Sequence, residues 1–242
     1  DLGCADIRKP EDRSTMASSY RHYSGQITYL DAAGKEWGRE RFSGAVHAHG
    51  RSLRALCEMD DAGLLREACW AVDQDWQPSE GFVRNIRDGK TIGSCWYAIN
   101  GNTVECEGMT ETAGRISRRI EADRRVEFLG THPLAGDAIT AMVRGTDAPG
   151  SARSLLCAAN SMAHLGDEDL SVMLVEPEVC FVGPERIDVA AGTFDALHYS
   201  IRWSDKVPHH TDFWIDPFDC LPLLTVLPAI GERYELVSLD RQ

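Results

Sequence analysis

The sequence has no long apolar run, no block of basic residues and no closely paired cysteines, and each absence removes a class of function. Its most apolar late stretch, Leu221 to Ile230, is broken by Pro222 and Pro228. It falls far short of the roughly 20 apolar residues that a membrane-crossing helix requires, so no membrane insertion is expected. Basic residues number 25 against 38 acidic ones, for a formal charge of −13 and a pI near 5.0. Such a field repels phosphate backbones and anionic headgroups, so nucleic acid is not an expected partner.

The eight cysteines, at 4, 57, 69, 95, 106, 157, 180 and 220, include no CxxC pair. That excludes a zinc ribbon and a thioredoxin-type redox motif. Nucleophile elbows of the GxSxG type, SxxK, phosphate loops and dinucleotide fingerprints are also missing. No cofactor and no resident metal are therefore expected.

What is present is ordinary globular composition, 43% hydrophobic and 26% charged, over 242 residues. A chain of this length buries roughly three-quarters of its unfolded surface and needs no disulfide to hold a core. Cys57, Cys69, Cys95 and Cys180 fall at strand-like apolar positions, where a thiol packs as a small core residue. Reduced thiols point to the cytoplasm, with the periplasm as the alternative if an upstream signal peptide has been removed. Residues 1–19 read as a polar, poorly ordered leader and 20–242 as one β-barrel-like domain.

From Tyr20 to Glu121, short alternating segments are separated by turn sequences such as Asp31–Gly34, Asp60–Gly63, Arg87–Lys90, Asn100–Asn102 and Thr112–Gly114. Gly, Asn and Asp tolerate the positive φ of tight hairpins, so the pattern predicts an antiparallel meander. The middle predicts two short helices, over Gly136–Val143 and Ser151–His164. In the second, Leu155, Ala158, Ala159 and Met162 recur at helical spacing. Strands return from Leu170 to Leu239. The fold class is all-β, mainly antiparallel: a curled sheet or an open barrel or sandwich with two short helices inserted mid-chain.

The segment Arg186-Ile187-Asp188-Val189-Ala190-Ala191-Gly192-Thr193-Phe194-Asp195-Ala196-Leu197-His198-Tyr199 resembles the V-x-V-P-A-G-T-F-D-A-L hairpin of the DUF3108-like group of uncharacterised β proteins. Phe213–Asp216 and Tyr234–Val237 continue the resemblance. It implies an extended antiparallel sheet curled into an open barrel with a mid-chain helical insertion. It implies no activity, and Ala190 stands where that group has proline. Members of the group are commonly exported.

Histidines supply the candidate chemistry. His47 and His49, two apart on an expected strand, would share one face and could serve acid–base work or, as a third reading, hold a metal. His209 and His210 precede Asp212, which could orient an imidazole. In Thr193–Trp203, Leu197, Tyr199, Ile201 and Trp203 point one way, while His198 and Arg202 point the other. His132 and Asp137 mark the join between strand and first helix, and His22 lies between Tyr20 and Tyr23. The expected catalytic set is His47, His49, His198, His209, His210 and Asp212. The expected substrate contacts are His22, His132, Tyr199, Arg202, Trp203 and Trp214. This set suits a cofactor-independent lyase, isomerase or hydratase acting on a small hydrophobic or aromatic molecule in a β-barrel cavity. The alternative is a non-catalytic carrier of a hydrophobic ligand or an envelope-associated β protein. A homodimer is compatible with either.

Overall fold

Alternating apolar and polar residues between Gly- and Asp-containing turns make strands, and the first half of the chain is a run of them. The computed structural model describes residues 20–167, 169–204 and 210–242. The run comprises β1 (Arg21–Leu30), β2 (Glu36–His47), β3 (Gly50–Met59), β4 (Leu64–Asp73), β5 (Pro78–Arg87), β6 (Lys90–Asn100), β7 (Thr103–Thr110) and β8 (Gly114–Glu121). The middle supplies β9 (Phe128–Gly130), α1 (Leu134–Asp137), α2 (Ile139–Arg144), β10 (Ala152–Ser154), β11 (Cys157–Ala159) and β12 (Met173–Val175). The last part is β13 (Glu178–Val189), β14 (Gly192–Arg202), β15 (Thr211–Asp216), β16 (Leu221–Leu227) and β17 (Glu232–Arg241). The expected turns are in place. Between β5 and β6, Asp88 and Gly89 have φ of 51° and 79°, the left-handed pair that a two-residue hairpin demands.

Fourteen strands form one sheet in the order β10-β13-β14-β15-β16-β17-β1-β2-β3-β4-β5-β6-β7-β8, which does not close into a barrel. Strands β12, β11 and β9 form a second, small sheet. The large sheet curls. The β13–β14 turn reaches β17, where the Ala191 N–H donates to the Leu236 carbonyl at 3.1 Å, although three strands separate β13 from β17. Helix α1 packs against both β3 and β16, four places apart in the sheet, so it lies inside the curl. The interior is filled by side chains such as Tyr97, Phe128, Tyr199 and Phe213. Burying a phenylalanine of this kind contributes roughly 1.5–3 kcal/mol.

One element departs from expectation. Helix forms at 134–144 as two abutting short segments, but Ser151–His164 is not a helix; it contains β10 and β11. Residues 155–161 are all buried, because β11 is paired on both sides by β9 and β12 and sits inside the curl. A continuously buried run carries no usable period, so the spacing of Leu155, Ala158 and Ala159 fits strand as well as helix.

Candidate functional site

Inward-facing positions of adjacent strands meet in register, and one rung is polar. Glu40 pairs with Cys57, Cys57 with Arg66, and Arg66 with Asn85, across β2, β3, β4 and β5. All four side chains are buried. Both Glu40 oxygens are used. Oε2 accepts from the Tyr29 hydroxyl and the Leu134 N–H at 2.8 Å each, and Oε1 accepts from the Ala135 N–H at 2.9 Å. Burial pushes the Glu40 carboxyl up, against those hydrogen bonds. The Arg66 Nε–H donates to Asn85 Oδ1 at 3.1 Å, and its terminal nitrogen donates to the Leu165 carbonyl. Asn85 donates to the Gly166 carbonyl at 3.3 Å, and the Tyr97 hydroxyl to the Leu170 carbonyl at 2.7 Å. These bonds therefore tie α1, Leu165, Gly166 and Leu170 down over the concave face. A buried polar network so fully paired specifies a fold.

His132 belongs to this covered region. It has a φ of +81°, its Nε2 is buried with no hydrogen-bond partner among the described residues, and a Cβ added at Gly166 would meet its ring at 2.5 Å. Burial, reinforced by Arg66, drives its pKa down to about 3, so the ring is neutral at physiological pH. Asp137, at the end of α1, is pushed well above the usual carboxylate range by burial and then by Glu40.

The outward face carries two further groups. On β14, His198 Nε2 lies 3.2 Å from Asp212 Oδ1, and Nδ1 lies 3.6 Å from Glu185 Oε2. The ring stacks on Trp214 at 4.1 Å between centroids, and the Trp214 Nε1–H donates to Glu185 at 2.7 Å. The second group lines an open groove of about 380 Å³ near the middle of the sheet. One outer rung there runs Asp240–Ser24–Ser43–Arg54 across β17, β1, β2 and β3. The next runs His22–Ala45–Ser52. Small side chains among long ones make the trough. Arg41 and Arg84 on the same face are ion-paired with Glu58 and Glu67. Arg54 carries no ion pair among the described residues.

The expected site residues are thus dispersed. His47 ends β2 and pairs with Gly50, which puts Ala48 and His49 in the two-residue turn. The same-face expectation for His47 and His49 is therefore corrected: the hairpin reverses the chain between them. His47 contacts Tyr20 edge-on at 4.7 Å and lies 3.4 Å from Ser52 Oγ, beside the groove that His22 lines. Asp212 is brought to His198. His210 is exposed, and His209 lies outside the described residues. Tyr199 is buried, its hydroxyl donating to the Gly145 carbonyl at 3.2 Å, and Trp203 packs against the core. Arg202 pairs with Glu178 at 2.7 Å. Among the described residues, no three His, Cys, Asp or Glu side chains gather as metal ligands.

Sequence reasoning missed Glu40, Arg66, Asn85 and Arg54. The signal for the first three was parity: each polar residue occupies the apolar phase of its strand, as Arg66 does between Leu64 and Ala68.

No family model matches this sequence, and no curated protein does. Among solved structures the chain is similar to a beta-barrel-like protein of the domain of unknown function DUF1849 from Brucella abortus. The TM-score is 0.56 at 10% identity, over 92% of this chain and 98% of that one. A DUF1089 family protein from Pseudomonas aeruginosa aligns with a TM-score of 0.48 at 9% identity, over 79% and 90% of the two chains. The first likeness is one of fold alone. No helix among the described residues is long and apolar enough to cross a membrane.

Proposed function

We propose that this protein is a non-catalytic binding protein whose curled sheet is a scaffold and whose ligand is taken on the outer face, in the groove between β17 and β3. One observation carries the reading. The concave face, where a barrel-type enzyme or carrier would hold its substrate, is occupied by the protein's own α1, Leu165 and Gly166, tied down by buried hydrogen bonds. The groove is open and holds Arg54, which has no ion pair among the described residues. The hairpin at 186–199, which resembles the DUF3108-like group, fits this scaffold role, since its Ala191 N–H helps to fix the curl.

The test is a screen of small polar compounds by amide chemical shift. The reading expects saturable shifts confined to the outer face of β1, β2 and β3; shifts centred on Glu40, Arg66 and His132 would move the site inside. The acid–base reading keeps one specific support, the His198–Asp212 pair, which meets the geometric demand on an oriented base. That pair sits on the outward face, with Glu185 Oε2 3.6 Å from the other imidazole nitrogen.

A further inference from the structure

We infer that the groove binds a small zwitterion, an amino carboxylate whose carboxylate meets Arg54 and whose ammonium meets Asp240; the inference rests on the groove being the ligand site. The two charges stand at opposite ends of one outer rung, with the hydroxyls of Ser24 and Ser43 between them and that of Ser52 on the next rung. Three interstrand spacings of about 4.8 Å put their Cα atoms roughly 14 Å apart, too far for them to neutralise each other directly. Arg54 presents five N–H donors in a fork that matches a carboxylate, and among the described residues it has no acidic partner of the kind that Arg41 and Arg84 have on the same face.

Asp240 decides the class of ligand. Its contact within the groove is the Gln242 side-chain amide at 3.0 Å, a neutral donor that leaves its charge in place. A dianion would be repelled at that end, whereas an ammonium would be drawn to it. The serine hydroxyls donate or accept as required and give the middle of the groove no preference of sign. In a protein of charge −13, a simple anion has only Arg54 to hold it against the general field. A ligand of zero net charge escapes that repulsion and uses both ends.

The experiment titrates 15N-labelled protein with glycine, 4-aminobutyrate, 6-aminohexanoate and 8-aminooctanoate, and with hexanoate and hexan-1-ol as controls. The proteins are wild type, Arg54→Gln and Asp240→Asn, both exposed positions whose retained fold the amide spectrum reports. At least one amino carboxylate should saturate shifts at Ser24, Ser43, Ser52 and Arg54, and the preferred length measures the separation of the charges. Arg54→Gln should weaken that binding about tenfold or more, the scale of one charge-assisted hydrogen bond. Asp240→Asn should weaken the amino carboxylate by a similar factor and leave hexanoate unchanged. Equal binding of hexanoate and 6-aminohexanoate in all three proteins overturns the zwitterion. Saturable shifts with hexan-1-ol alone also overturn it but leave the groove as a binding site. If no probe moves any groove residue, both the inference and the reading beneath it fall.

Discussion

Glu40 and Ala135 stand 95 positions apart in the chain and meet through a 2.9 Å hydrogen bond from the Ala135 N–H to the Glu40 carboxyl. With the Leu134 N–H on the other oxygen, this one side chain receives the first turn of α1 and fixes it under the sheet. Glu40→Ala strands two backbone donors and the Tyr29 hydroxyl in a buried space, which should cost about 3–5 kcal/mol. Glu40→Gln keeps one acceptor and should cost about 1–2 kcal/mol. Urea unfolding measures both; equal and negligible losses would mean that α1 is not held this way.

The pH dependence of stability should carry two opposite signatures. His132 binds its proton less readily folded, at about pH 3, than unfolded, near its ordinary 6.5. The unfolded state therefore takes up more protons between those values, and the stability that neutral His132 permits is lost as pH falls through that window. His132→Asn, which tolerates the positive φ, should flatten that acid limb. Glu40 has the reverse sign. Its carboxyl is raised on folding, so its protonated form favours the folded state and stability declines as pH rises above its unfolded pKa. Unfolding midpoints between pH 3 and 8 for wild type, His132→Asn and Glu40→Gln separate the two; superimposable profiles would contradict both assignments.

The seven described cysteines are unbridged. Thiol titration of the denatured, unreduced protein should find most of the eight free. In the native protein Cys57, Cys157 and Cys220 should react orders of magnitude more slowly than in urea, since burial removes access and raises their pKa. Rapid native labelling of Cys57 would show that the cover over the polar rung opens readily.

The outer imidazole gives a test of the competing reading. His198→Ala removes a part-exposed hydrogen bond and a stacking contact, worth about 1 kcal/mol together. It should leave ligand binding in the groove unchanged, because β14 and β15 lie away from β1–β3 in the sheet. A substrate whose turnover collapses in His198→Ala and in Asp212→Asn while both remain folded would establish the acid–base reading instead.

The strands were legible because their alternation and turn chemistry agree: β14, Gly192–Arg202, departs from Thr193–Trp203 by one residue at each end. Leu155–Ser161 was not legible, because residues buried on all sides have no polar phase to set a period. At the site, two-residue spacing was read at His47 and His49 as one strand face, but Ala48 and His49 turn the hairpin back on itself. His198 and Asp212 were each picked out, yet their pairing depends on the β14–β15 register, a long-range fact. Arg54 gave no local sign, since its lack of an acidic partner emerges only when the neighbouring strands are laid beside it.

The most direct test of the account is whether the concave face admits a ligand. The neutral dye N-phenyl-1-naphthylamine would be titrated into the protein by fluorescence, and hydrogen exchange at the Leu134 and Ala135 amides followed with and without it. The account predicts no saturable fluorescence gain and two slowly exchanging amides unaffected by the dye, because Glu40 holds them shut. Saturable dye binding accompanied by faster exchange at Leu134 and Ala135 would contradict it, making the interior a ligand chamber and α1 its lid.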